Sequence, residues 1–303
     1  MKRRGNPLLR HADAGTAPCI RKGGVKVWVL AAALLALAAL LVFGGPLWWR
    51  ASSRTARAAL EEAAAQQTAP PCCAQDAAGL PLPVQRYLRR AVTREAAPVD
   101  GVWMRQEGEF NLSEDGERWV PFTAEQRVTL RAPGFAWEAR VGMAPGVPVF
   151  VRDAYAAGVG STEARILGLW PVANVRGAGE IAADQLMRFL AEAPWYPVAL
   201  LPGGMVEWSA VDERSALATI RHGTVSAALT FVFGEDDFVL AVRAEARGRM
   251  VKGKRVPAPW QGRFSRYALR NGMWIPTEGE VSWILPSGPH PYWRGRVVEI
   301  RYK

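Results

Sequence analysis

Cysteine and histidine are nearly absent from this chain, and their scarcity removes whole classes of chemistry. Of 303 residues, three are cysteine and three are histidine. Beyond Gly79 there is no cysteine, and the only histidines, His222 and His290, stand in turn-like settings far apart in sequence. A structural zinc site, a Cys-His nucleophile and a histidine-rich metal centre therefore lack ligands in that part of the chain. No G-x-S-x-G occurs, so a serine nucleophile has no motif to sit on. Two phosphate-loop lookalikes also fail. Gly248 to Lys254 has the spacing G-x-x-x-x-G-K but puts Arg255 where Ser or Thr must bind the metal, and reads as a basic hairpin tip. Gly177 to Ala182 matches G-x-G-x-x-A but lacks a parallel β-α-β unit around it. No cofactor and no metal site are expected.

A surplus of basic residues, 38 Lys and Arg against 28 Asp and Glu, suggests nucleic acid until its position is read. Residues 1–78 carry ten basic and four acidic side chains, which leaves 28 and 24 for the other 225. The imbalance is concentrated around an apolar run, Val27 to Phe43, that contains no charge, and uncharged residues continue to Trp49. About twenty residues at 1.5 Å each cross a hydrocarbon core of roughly 30 Å. Trp28 and Trp48-Trp49 suit the headgroup zones, so a transmembrane helix over 27–49 is expected. Seven basic residues precede it and three, Arg50, Arg54 and Arg57, follow. The positive-inside bias then places residues 1–26 in the cytoplasm and the remainder outside it, on a cytoplasmic membrane. A cleaved signal peptide is the competing reading, opposed by the length of the run. The lack of cysteine beyond Gly79 agrees with export. Residues 50–79 read as a helical, then Pro-broken linker with Cys72-Cys73 as incidental thiols or a lipid-attachment site.

From residue 80 to 303 a single domain is expected. Val84, Tyr87, Leu88, Ala91 and Val92 follow the period of a helix with one buried face. The period then changes to two. Phe135, Trp137, Ala139, Val141 and Met143 alternate with their neighbours, as do Val225, Ala227, Leu229, Phe231 and Phe233. Turn signals at short intervals, among them Ala132-Pro133-Gly134 and Asn271-Gly272, mark ten or eleven strands at hairpin spacing. The fold class is therefore mainly β within α+β: a large curved antiparallel sheet, or half-barrel, with a leading helix. One helical insert, 181–202, interrupts the meander and supplies the cover that the concave face needs.

The blocks LPLPVQRYLRRAV at Leu80, PGFAWEARV at Pro133, LAEAPWYPVALLP at Leu190, PAPWQGRFSRY at Pro257 and YWRGRVVEIRY at Tyr292 resemble, in order, those of a bacterial membrane-anchored family known only as a domain of unknown function. That resemblance implies no catalytic residues. The element order is also similar to that of periplasmic lipoprotein carriers, in which a curved sheet lined with apolar side chains is closed by helices.

Ten of thirteen tryptophans lie beyond Gly79. The expected function is binding of a lipid or other hydrophobic molecule in the concave face. Phe135, Trp137, Val149, Leu229 and Phe231 would line the site, Trp195 and Tyr196 would gate it, and Arg140 or Arg152 would meet a headgroup. The alternative is a non-enzymatic sensor or interaction module whose partner is an envelope protein. A third reading is a glycan-acting enzyme using Glu125, Glu138 or Asp153, which needs two carboxylates in one cleft. Catalysis is the weaker expectation, and nucleic acid is excluded as a partner.

Overall fold

The computed structural model describes residues 22–39, 43–66, 77–114 and 116–303. The extreme N-terminal basic residues and the Cys72-Cys73 pair lie outside the described residues.

Two helices precede the domain, α1 (Lys22–Ala39) and α2 (Gly45–Ala65), and a third, α3 (Leu82–Ala91), leads into it. Six strands follow: β1 (Gly101–Asn111), β2 (Trp119–Thr129), β3 (Gly134–Ala144), β4 (Val147–Ala156), β5 (Val159–Ile166) and β6 (Trp170–Gly177). After helix α4 (Glu180–Ala191) come seven more: β7 (Val206–Asp212), β8 (Ser215–His222), β9 (Val225–Phe233), β10 (Val239–Val251), β11 (Lys254–Arg270), β12 (Met273–Leu285) and β13 (Gly288–Tyr302). All thirteen form one open antiparallel sheet, which bears out the mainly β class. Ten or eleven strands were expected. The difference arises where Ala157-Gly158 and Leu167-Gly168 turn the chain with positive φ at both residues, the hairpin geometry usually announced by Asn-Gly.

Strand order explains the architecture. It runs β6-β5-β4-β3-β2-β1-β13-β12-β11-β10-β9-β8-β7, two meanders joined at the centre by the β1–β13 pair. The chain thus leaves the centre, reaches one edge at β6, crosses to the other edge at β7 and returns. Helix α4 makes that crossing, and it packs on β5 and β4 from one meander and on β9 from the other. Such contacts are possible only if the sheet curls around the helix. Tyr155 on β4 and His222 on β8 meet across the curl, Oη to Nδ1 at 2.9 Å.

The concave core is built from the expected alternating positions. Phe135, Trp137, Val149, Leu229 and Phe231 are buried, together with Leu186, Phe189 and Leu190 of α4. Two short 3₁₀ turns, Ala193–Trp195 and Pro197–Leu200, continue the insert, and Trp195, Tyr196 and Leu200 are buried as well. Tyr196 donates to the Phe189 carbonyl at 2.6 Å, and Tyr302 of β13 donates to the Trp195 carbonyl at 2.8 Å. The insert is therefore a fixed plug. Helix α3 buries Tyr87 against Phe233 and sits on β8 and β12.

The N-terminal side departs from expectation. Among the described residues no helix is long and apolar enough to cross a membrane. Trp48 and Trp49 do not extend α1; they open α2, which lies on the convex face of the sheet. Trp49 is buried against Phe150, ring centroids 5.9 Å apart. Arg57 is ion-paired with Glu138, and Arg152 donates to Ser53 at 3.1 Å. Polar side chains on both surfaces hold the helix to the sheet, which is why the apolar character stops at Trp49.

Candidate functional site

Three glycines prepare the concave surface. Gly108 of β1 is opposite Gly295 of β13, which is opposite Gly279 of β12, so a row across the sheet centre carries no side chains. A Cβ on Gly108 would fall 2.1 Å from the Arg294 carbonyl oxygen, a contact that no other residue tolerates. Into the space above this row project the rings of Trp293 and Trp195, 6.5 Å apart. Trp195 also meets Phe264 edge-on at 5.8 Å.

The aromatic walls leave a cavity of about 150 Å³ between the sheet and the insert. Trp137, Trp195, Trp260, Trp293 and Phe264 line it with Ala191 of α4. Trp260 donates to the Tyr292 hydroxyl at 2.9 Å, and Trp137 donates to Gln106 Oε1 at 2.9 Å. The Trp195 indole N–H is buried and has no acceptor. A buried donor left unpaired costs roughly 1–3 kcal/mol, so this group is poised to accept a partner.

At the helix side of the cavity, Arg188 of α4 bridges two carboxylates. Its Nη1 is 2.6 Å from Asp153 and its Nε is 2.8 Å from Glu192, while its guanidinium stacks over Trp137 at 4.8 Å. Burial opposes the arginine charge, but Glu192 and Asp153 outweigh it, so Arg188 holds its proton more firmly than usual. Thr162 donates to Asp153 at 2.6 Å, and Gln126 donates to Glu192. Each acid thus accepts from two side-chain donors, one of them Arg188. On the other side, Arg247 stacks over Trp260 at 4.7 Å and has no carboxylate partner among the described residues.

The structure gathers only part of the expected site. Trp137 and Trp195 line the cavity. Phe135, Val149, Leu229, Phe231 and the insert's own Tyr196 are buried in the packed core instead. Arg140 and Arg152 are a correction: both project from the convex face, because the two-residue period sets them opposite Trp137 and Asp153. Arg140 is exposed, and Arg152 is buried beneath α2, ion-paired with Glu163. The three acids likewise divide. Glu125 and Glu138 face outward and Asp153 inward, so they share no cleft for glycoside hydrolysis. Arg188, Glu192, Arg247, Trp260 and Trp293 were not anticipated. The density of tryptophan in the final strands was the available signal. Among the described residues no three His, Cys, Asp or Glu side chains are placed to hold a metal ion.

A family model described as a family of unknown function (DUF6920) matches residues 78–302. No curated protein matches the chain. Among solved structures, a LolA superfamily protein from Nitrosomonas europaea is similar at 8% identity and a TM-score of 0.38, over 73% of this chain and 92% of that one. A beta-barrel-like protein of the DUF1849 domain of unknown function from Brucella abortus is similar at 7% identity and a TM-score of 0.21, over 69% of this chain and 99% of that one.

Proposed function

We propose that this chain, which belongs to the DUF6920 family of unknown function, binds a small hydrophobic molecule, or the apolar end of a larger one, between its curved sheet and its helical insert. The observation that carries this reading is the tryptophan-walled cavity itself. A cavity of about 150 Å³, walled by tryptophans with Arg188, Asp153 and Glu192 at its helix side, has room for a benzene-sized guest. The same size excludes a whole lipid. Burying 100–150 Å² of apolar surface gains roughly 3–4 kcal/mol, which is about millimolar affinity. The rest of the molecule must therefore contribute at the rim, where Arg247 has no carboxylate partner among the described residues and suits a polar or acidic group.

The apolar stretch 27–43 would keep the domain beside a membrane, with its sheet outside the cytoplasm. Support comes from α1, whose Val27, Trp28, Leu30, Leu34 and Leu35 are all exposed. From Val27 onward that helix carries no charge, and an uncharged stretch with exposed apolar side chains belongs against lipid or another protein. The alternative of a non-enzymatic interaction module with an envelope partner draws support from how completely the insert fills the rest of the concave face.

Native mass spectrometry of the purified protein and titration with a dansyl-labelled fatty acid test the binding reading. Ala191→Phe and Val281→Phe each fill the cavity from a different wall, at an overpacking cost of about 1–3 kcal/mol. Saturable binding to the wild type, abolished in both folded variants, is expected. Binding that survives both substitutions would place the ligand elsewhere.

A further inference from the structure

At one end of the molecule the first turn of α2 is pressed onto the β5–β6 turn. The approach is close: a Cβ on Gly45 would fall 1.9 Å from the Leu167 carbonyl oxygen, and one on Gly168 would fall 2.6 Å from that of Gly45. Around this junction large apolar side chains are left in the open. Phe43, Leu47 and Trp48 are exposed on the α2 side, and Trp170 and Val172 on β6, with Trp170 at 51% and Val172 at 57%. Arg165 stacks over Trp48 at 4.4 Å.

Two further features say what covers this patch. Ala39, the last residue of the apolar helix α1, lies six residues before Gly45, a reach of about 20 Å at most. Charge along α2 is polarised as well. Arg50 and Arg54, both exposed, follow the patch, and the acids Glu61 and Glu62 come only at the far end. Tryptophan with arginine beside an apolar segment is the composition of a surface that sits at lipid headgroups.

We infer that the α2 start and the β5–β6 hairpin form a docking face for the interfacial zone of an anionic bilayer. The face fixes the orientation of the sheet domain on the membrane. The inference rests on the membrane reading above and goes beyond it, because a tether alone sets no orientation.

The test uses the full chain with Cys19, Cys72 and Cys73 changed to Ser and an environment-sensitive thiol dye placed at Val172→Cys. Val211→Cys on β7, at the opposite edge of the sheet and equally exposed at 56%, is the control. Vesicles contain phosphatidylethanolamine and phosphatidylglycerol with a nitroxide-labelled lipid as quencher. Expected are a blue shift and severalfold stronger quenching at position 172 than at 211. Trp48→Ser with Trp170→Ser should bring quenching at 172 down to the control level while the protein still sediments with vesicles. Co-sedimentation with equal quenching at both positions overturns the docking face and leaves the tether standing. No co-sedimentation overturns both. Shielding of position 172 in detergent at dimer mass would assign the face to a second copy and also overturn it.

Discussion

Trp195 concentrates the chemistry of the cavity in one atom pair. Its ring is held by Phe264 and Trp293, its carbonyl accepts from Tyr302, and its N–H is left without an acceptor. A guest that offers an oxygen satisfies that donor, and a hydrocarbon of the same shape does not. One neutral hydrogen bond contributes about 1 kcal/mol, close to fivefold in affinity. Tetrahydropyran is therefore expected to bind more tightly than cyclohexane and to move the Trp195 indole N–H resonance. Equal affinities with an unmoved resonance would show that the N–H does not face the guest. The same residue shows what periodicity can and cannot find. Its place in a bulky apolar loop was legible from Trp195-Tyr196-Pro197. Its stacking partners lie on β11 and β13, remote in sequence, and no local pattern joins them to it.

Among the elements, the insert and α2 stand at opposite ends of legibility. The expected insert, 181–202, coincides closely with α4 and its two 3₁₀ turns, because one helical period inside a two-residue meander is a strong contrast. Helix α2 was legible in part: residues 50–65 lie in the stretch read as helical, but its start at Gly45 was hidden because uncharged residues run on to Trp49, and its docking becomes visible only once Phe150 and Arg152 are seen beneath it. The docking depends on Arg152. It is buried, stacks over Trp49 at 4.7 Å, and holds Ser53 and Glu163. Burial works against the charge on Glu163, but Arg165 and Arg152 prevail and hold its carboxyl below the usual range. Arg152→Met is expected to cost about 3 kcal/mol, the lower end for breaking a buried pair, because Arg165 still serves Glu163. Urea denaturation measures the loss, and hydrogen exchange should rise first in α2. Unchanged α2 protection would mean that Trp49, Leu60 and the Arg57–Glu138 pair suffice to hold the helix.

For the whole molecule, the contact that joins the two meanders across the curl is titratable. Burial pushes the Tyr155 hydroxyl up to about 12 and holds the His222 imidazole below its usual value. The unfolded chain therefore binds a proton at His222 more readily than the folded one. Stability contributed by the neutral ring is present above an ordinary histidine pKa of about 6.5 and is lost as pH falls through the depressed folded value. The Tyr155 contribution is present below about 10 and is lost as pH rises toward 12. Thermal melting at a series of pH values should show the acid-side loss in the wild type and a flatter profile in His222→Gln. A profile identical in the two proteins would leave the acid loss to the carboxylates. The curved sheet itself was legible from alternation and turn spacing. Its closure was not, since neither Tyr155 nor His222 carries a sign that they will meet.

The order of the strands also governs how this domain comes into being. β1 is the first strand in sequence and β13 the last, and they pair at the centre of the sheet, with the Asp100 amide bonded to the Lys303 carbonyl at 2.7 Å. Each meander is local and can form early as its hairpins close. Their union waits for the longest loop in the domain, and contacts of that range are the slow ones. Until β13 arrives, β1 and β12 each present an unpaired edge at what will become the middle of the molecule. Folding of this domain is therefore a race between its own last strand and any other chain that offers one.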